Sequence, residues 1–137
     1  MLVLGIVVIG GLALHLTHFW SKMQLAEIMG IHEVLVNGVE VAPTNGAALI
    51  AINFSNPVIV ALYVVWLAAI WFHLTHGFWS ALHTLGWNGK NWINRLQCIS
   101  NVYTTIIVLG FIAVPILFLV KSLICPDFVA NYINALV

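Results

Sequence analysis

The chain has 137 residues, of which 63% are hydrophobic and only 6% carry a charge. So little polar surface cannot coat a water-soluble globule, and the composition predicts an integral membrane protein, all-α and folded as a single membrane domain over residues 1–137. The formal net charge is zero, which removes the electrostatic case for a nucleic-acid partner. The two cysteines, Cys98 and Cys125, form no CxxC or Cys/His metal motif.

Three long apolar segments predict a helical bundle with three transmembrane helices, at about residues 2–24, 57–86 and 100–121. We expect Asn56 to cap the second helix, because Pro57 follows it at the first helical position. Pro115 is expected to kink the third helix, a distortion that membrane helices tolerate when neighbours satisfy the freed carbonyl.

Polar segments connect the predicted helices. Residues 25–56 form the longest connection, an extramembrane loop. Its Asn37-Gly38 dipeptide, flanked by β-branched residues, favours a hairpin with a type I′ turn. Residues 87–99 are predicted to form a short turn, and residues 122–137 a tail at the membrane interface.

The few charges predict the orientation. The turn of residues 87–99 carries Lys90 and Arg95, whereas the polar stretch from Ser21 to Asn56 carries one lysine and three glutamates. Because positive charge favours the cytoplasmic side, the turn is placed in the cytoplasm and the longer loop outside.

Four of the six histidines occur in two near copies of one string, HLTHFW with His15 and His18, and HLTHGFW with His73 and His76. A spacing of three predicts that each pair lies on one helical face. Ionisable side chains inside a membrane cost free energy, so each is expected to have an interaction partner that compensates this cost. Hydrogen bonding between helices by neutral imidazoles is one interpretation. Ligation of a haem iron is the other, whereas zinc would need carboxylate or cysteine ligands that these helices lack.

The depths of the two pairs differ. His15 lies about 7 Å from the outer end of its helix, and His73 lies about as far from the inner end of the next one. In a hydrocarbon core of about 30 Å, the two imidazoles are then roughly 15 Å apart along the membrane normal. They are too far apart to coordinate one iron from both sides. Two haems are implied, each with a second ligand from outside this chain.

The strings FHLTHGFWSALHTLGW and NRLQCISNVYTTII resemble the di-haem (type B) cytochrome b membrane anchor of succinate:quinone oxidoreductases and quinol:fumarate reductases. That family has five membrane helices, and this chain resembles the last three. The resemblance implies that two further helices are supplied by an upstream segment or by a companion chain. It also implies location in the cell inner (cytoplasmic) membrane as a multi-pass protein.

The resemblance implies roles for several residues. His73 would be the axial ligand of the proximal haem, and His15, with His18 as the alternative, would be that of the distal haem. His76 would be a polar neighbour or propionate contact. Polar side chains that could reach the propionates are Ser80, His83 and Arg95, whose other interpretation is an interfacial cap and cytoplasmic positive charge.

The same resemblance implies an electron-transfer subunit rather than a catalytic one. It would carry electrons through two b-type haems between an iron–sulfur subunit and membrane menaquinone or another quinone. The dicarboxylate chemistry would belong to a flavoprotein partner. The alternative is a membrane scaffold or transporter subunit without haem, whose histidines bond between helices or relay protons.

Overall fold

The structure is a computed structural model that describes residues 2–87 and 89–134. The fold is all-α and 80% helical, as the composition predicts, with one short hairpin. The described elements, in chain order, are α1 (Leu2–Ile28), β1 (Val34–Val36), β2 (Val39–Val41), α2 (Gly46–Phe54), α3 (Pro57–Thr84), α4 (Lys90–Ile124) and α5 (Phe128–Asn134).

Three of these helices are long and apolar enough to cross a membrane: α1, α3 and residues Asn91–Ile124 of α4. The prediction of a membrane protein with three candidate spans is therefore confirmed. Helix α3 is central, because it packs against both α1 and α4. Accordingly, 22% of its most apolar stretch is buried, against 6% for α1 and 11% for α4.

The predicted turn of residues 87–99 is wrong for most of its length. Helix α4 begins at Lys90 rather than near residue 100, and the chain reverses between Thr84 and Lys90. Gly86 has a φ of +83° in this reversal, which favours glycine. Polar residues show where a helix leaves the hydrocarbon core, but the helix itself can continue beyond that point. The prediction read the polar residues 87–99 as a turn and therefore placed the start of α4 too late in the chain. Asn88 lies outside the described residues.

The capping signals at α3 are confirmed. Asn56 Oδ1 accepts a hydrogen bond from the backbone N–H of Val58 at 2.9 Å, and Pro57 occupies the first helical turn. Proline suits this position because its missing N–H would have no partner inside the helix. Helix α4 continues through Pro115 to Ile124.

The predicted hairpin is also confirmed. Strands β1 and β2 pair antiparallel, with Val36 opposite Val39. Asn37 and Gly38 have φ values of 50° and 87°, and a type I′ turn requires positive φ at both central residues.

Helix α2 lies inside the predicted loop of residues 25–56 and was not predicted. Its buried residues Ala48, Leu49 and Ile52 pack against Val36 and Val41 of the hairpin. Helix α5, from the predicted interfacial tail, covers the same cluster with Val129, Tyr132 and Ile133. We call residues 29–56 and 128–134 the cap, and the end of the bundle that carries it the capped end. The last three residues of the predicted tail, 135–137, lie outside the described residues.

Asn45 joins the two parts of the cap. Its Oδ1 accepts from the N–H of Ala48, and its Nδ2 donates to the carbonyl of Tyr132, both at 3.0 Å. The side chain is only 5% exposed. Replacing it with alanine removes a helix cap and a long-range hydrogen bond, which should cost about 1–2 kcal/mol. We expect hydrogen exchange of α2 and α5 amides to become about 5–30 times faster. The control is Asn56→Ala, which removes an exposed cap, and an equal effect of both variants on α5 would contradict the role of Asn45.

Helix α1 changes its hydrogen-bond pattern just after His15. Residues Leu16–Leu25 form a π-helical stretch within the continuous helix. The hydroxyls of Thr17 and Ser21 donate to the backbone carbonyls of Leu14 and Thr17, at 2.9 and 2.6 Å. Such bonds bend helices, and π-helical turns are rare and frequent at functional sites. The first HLTH string therefore has a different backbone from the second, which lies in regular α-helix.

Candidate functional site

His15 lies on the face of α1 that packs against α3. Its ring stacks on Trp66 with centroids 5.8 Å apart, and it lies 6.2 Å from the Tyr63 ring and 5.3 Å from that of Phe19. The Nδ1 atom is buried and has no hydrogen-bond partner in the described part of the chain. A buried nitrogen without a partner costs free energy, so this imidazole lacks an interaction.

Close packing of α1 against α3 holds the Trp66 indole beside His15. Trp66 Nε1 donates to the carbonyl of Val8 at 3.0 Å. A Cβ atom added at Gly11 would lie 1.9 Å from Cδ1 of the indole, so only glycine fits this contact. A small residue here lets the indole reach the backbone of α1, as is typical of membrane helix interfaces.

An apolar cavity of about 280 Å³ adjoins His15, and among the described residues its titratable lining groups are His15 and the Tyr63 phenol. Helices α1, α3 and α4 line it, and α2 of the cap adds Phe54 to the lining. The wall from α4 includes Phe111 and Pro115. The volume is at the low end of small-molecule sites, which hold about 300–1,000 Å³. The described residues therefore line an apolar cavity that is open on one side.

His18, the second histidine of the first string, does not line this cavity. Its Nδ1 lies 3.4 Å from the hydroxyl of Tyr63, and the two rings stack with centroids 6.1 Å apart. It is therefore hydrogen-bonded between α1 and α3, the arrangement expected when neutral imidazoles link membrane helices.

His73, in the second half of α3, faces α1 near the first turns of that helix. A Cβ atom added at Gly5 would lie 3.9 Å from Cε1 of His73, which places the two residues at one level. Like His15, His73 has a buried Nδ1 atom without a hydrogen-bond partner among residues 2–87 and 89–134. From Gly5 to His15 the helix rises about 15 Å at 1.5 Å per residue, so the two imidazoles lie at separate depths.

His76 diverges from His73. It lines a cleft of about 360 Å³ between α3 and α4, together with Gln97 and Asn101. The two histidines of the second string therefore lie beside different helices, His73 beside α1 and His76 beside α4. Both histidines of the first string, which have the same spacing of three, contact Tyr63.

The remaining predicted site residues are Ser80, His83 and Arg95. All three are exposed at the surface of this chain. None of them lines the cavity at His15 or the cleft at His76. The propionate contacts implied for them stay predictions.

Sequence reasoning missed Tyr63 and Trp66 on α3 and Gln97 and Asn101 on α4. Trp66 lies seven residues, or two helical turns, before His73 and therefore on the same face of α3. Listing the residues on that face would have identified it. Gln97 was hidden because the predicted turn of residues 87–99 covered it.

In the described part of the chain, no group of three or more His, Cys, Asp or Glu side chains is arranged to hold a metal ion. A ligand set of one imidazole for each site, as in haem ligation shared with other helices, does not require such a group.

The fold and these side chains define a class: a helical membrane protein in which two histidines between the helices have a buried Nδ1 without a hydrogen-bond partner in the described residues. Comparison with known proteins adds no family to this class. No family model, curated protein or solved structure matches the chain.

Proposed function

We propose that this chain is a cytochrome b membrane anchor of a succinate:quinone oxidoreductase or quinol:fumarate reductase. It would carry electrons between an iron–sulfur subunit and menaquinone or another quinone, through two b-type haems shared with further helices. The observation that carries the proposal is the pair of half-buried imidazoles, His15 and His73, about 15 Å apart along α1, each with a buried Nδ1 that has no partner among residues 2–87 and 89–134.

The residues fit half of each haem site. Each site has one imidazole, and the His15 site adds an apolar cavity walled by aromatic rings. Neutral imidazole is a common axial ligand, and an apolar pocket excludes water from the macrocycle. A haem bound at each site would supply a one-electron carrier. The second ligands and the open side of the cavity are left to helices outside this chain.

The side chains around His15 would position its ring. Trp66 stacks on the imidazole and is itself held by the carbonyl of Val8. Phe19 and Tyr63 flank the other sides of the ring. An imidazole with restricted rotation presents its ligating nitrogen in one direction, which favours a defined coordination geometry.

His15 is favoured over His18 as the ligand because His15 lines the cavity and His18 bonds Tyr63. His73 is the proposed ligand at the other depth. His76, Ser80, His83 and Arg95 are proposed to lie near the propionates of that proximal haem. The flavoprotein partner would perform the dicarboxylate reaction, and the complex would lie in the inner membrane with lipid around it.

A second candidate is a scaffold or transporter subunit without haem. The hydrogen bond between His18 and Tyr63 favours it, since this histidine already has a structural partner. It accounts less well for His15 and His73, whose buried nitrogens have no partner in the described residues.

A redox difference spectrum tests the proposal. The chain is co-expressed with the reading frame immediately upstream, purified, and compared in its reduced and oxidised states. We expect a b-type haem signal with two redox components, and little signal from this chain expressed alone. Absence of the signal from the co-expressed protein would overturn the proposal.

The choice between His15 and His18 has its own test. His15→Ala should remove one of the two redox components, whereas His18→Ala should keep both, because only His15 lines the cavity. Haem content and a potentiometric titration report the result. The opposite pattern would assign the ligand to His18.

A further inference from the structure

The reversal between α3 and α4 carries an apolar groove, at the end of the bundle opposite the cap. Trp87 and Gly89 of the reversal and Trp92 and Leu96 of α4 line this groove, whose volume is about 320 Å³. We call it the Trp groove. The side chains of Trp87 and Trp92 are 65% and 60% exposed. Large apolar side chains that are grouped at a surface mark a place where a ligand or partner binds.

The backbone fixes the positions of the two tryptophans. The N–H of Trp87 donates to the carbonyl of Leu82 at 3.0 Å, and the N–H of Trp92 donates to the carbonyl of Gly89 at 2.8 Å. Leu96 follows Trp92 by four residues and therefore lies on the same face of α4. A ligand that enters the Trp groove has little backbone to order, which lowers the cost of binding.

Each of the two indoles also has a hydrogen-bond donor. Among residues 2–87 and 89–134, Nε1 of Trp66 and of Trp71 donates a hydrogen bond, whereas Nε1 of Trp87 and of Trp92 has no partner. An indole has one N–H donor and no acceptor. The Trp groove therefore combines apolar ring faces with donors, which suits a ligand that has both hydrocarbon and acceptor oxygens.

The charges of the chain are divided between the two ends of the bundle. The four carboxylate side chains lie in the cap or next to it, and they are those of Glu27, Glu33, Glu40 and Asp127. The opposite end has Lys90 at the start of α4 and an exposed Arg95 three residues after Trp92, on the same helical face. The end that carries the Trp groove thus has two basic residues and no acidic one, which complements an anionic ligand.

The position of the Trp groove selects the class of anionic ligand. It lies where two candidate membrane spans end, between Thr84 of α3 and Asn91 of α4. Tryptophan is typical of the membrane interface, and basic residues there attract anionic head groups. A phospholipid brings hydrocarbon, ester and phosphate oxygens and negative charge to this depth together. A small soluble anion would leave the apolar faces of the indoles uncovered.

We propose that the Trp groove binds one anionic phospholipid of the adjoining leaflet. The upper part of an acyl chain would pack between Trp87 and Trp92, and the indole N–H groups would donate to ester or phosphate oxygens. The positive charge of Lys90 and Arg95 would favour an anionic over a zwitterionic head group. Attraction of the head group requires only that Arg95 is charged and exposed, so it is compatible with a position near a propionate. The inference needs no haem and goes beyond the proposed function.

The test is lipid retention by the co-expressed protein in nanodiscs of equimolar phosphatidylglycerol and phosphatidylcholine. Native mass spectrometry counts the lipids that stay bound when the protein is released from the disc. We expect one retained phospholipid, with phosphatidylglycerol favoured at least about fivefold, the effect of one interfacial basic residue. Trp92→Ala should lower this retention about tenfold, because one wall of the Trp groove is lost. Trp87→Ala is the second variant, with an effect in the same direction.

The matched control is Trp20→Ala, the same substitution at an exposed tryptophan of α1 that does not line the Trp groove. It should retain phosphatidylglycerol as the unchanged protein does. Equal retention of the two lipids by the unchanged protein, or no retained lipid, would overturn the inference. So would an equal loss in Trp20→Ala and Trp92→Ala.

The redox difference spectrum of each variant separates this inference from the proposed function. Trp92→Ala should lose the lipid and keep the spectrum of the unchanged protein. Loss of a haem component from Trp92→Ala, with unchanged lipid retention, would mean that the Trp groove holds a haem edge, which overturns the lipid site alone. Selective retention of phosphatidylglycerol that Trp92→Ala lowers, in a protein without any b-type signal, would support the lipid site and overturn the haem proposal.

Discussion

Replacing His73 with alanine is expected to lower the haem content from two to one per complex. Alanine cannot ligate iron, so the site at the level of Gly5 would lose the ligand that this chain contributes. Folding should survive, because the buried Nδ1 of His73 has no hydrogen-bond partner in the described residues and its removal breaks no bond there. A pyridine haemochrome assay gives the content, and a redox titration should show one component in place of two.

The control for this variant is His32→Ala, which replaces an exposed histidine of the cap. It should retain both redox components. Unchanged haem content in His73→Ala would show that His73 is not an axial ligand. Loss of only the distal haem would show that the predicted orientation of the chain is inverted.

The second large effect is expected from Gly11→Ala, and it does not depend on any cofactor. The added Cβ would lie 1.9 Å from Cδ1 of Trp66, far inside contact distance. The indole cannot move freely, because it donates to the carbonyl of Val8 and stacks on His15. Forcing atoms into such a packed interface costs about 1–3 kcal/mol, so α1 and α3 should separate locally.

The free energy of unfolding in mixed micelles measures this effect, and haem content measures the displacement of His15. Gly10→Ala is the matched control, since a Cβ there meets no atom within 4 Å among the described residues. The double variant Gly11→Ala with Trp66→Ala should recover part of the loss, as expected for two residues in contact. Equal stability of the Gly10 and Gly11 variants would contradict the close approach of the helices.

Local signals in the sequence predicted the elements that depend only on neighbours along the chain. The Asn37-Gly38 turn follows from two residues that tolerate positive φ, and the start of α3 follows from Asn56 and Pro57. Helix α4 begins earlier than predicted, at Lys90. Its first turns, around Arg95, are polar, and the prediction took polar residues for a turn although they are helical. Helix α2 escaped prediction because its short apolar run becomes a buried helix only against the hairpin and α5.

The residues of the candidate site likewise fall into two groups, those recognised from the sequence and those that depend on helix packing. His15 and His73 were recognised because histidine is costly in an apolar segment, and their separate depths followed from helical rise alone. Their surroundings depended on which residues of α3 and α4 lie opposite them. Tyr63 and Asn101 come near the histidines only through helix packing, which no local pattern encodes.

The sequence by itself determined that this chain is a membrane protein with three apolar helices and histidines at two depths. Hydrophobic length and the cost of polar groups in lipid are properties of single segments, so composition and spacing suffice for them. Only the tertiary structure decided that the two HLTH strings differ. His15 adjoins an apolar cavity and His18 bonds Tyr63, whereas His73 meets α1 and His76 lines a cleft with α4. The first string enters a π-helical stretch after His15, and the second lies in α3 between α1 and α4. Two near-identical strings therefore have different surroundings.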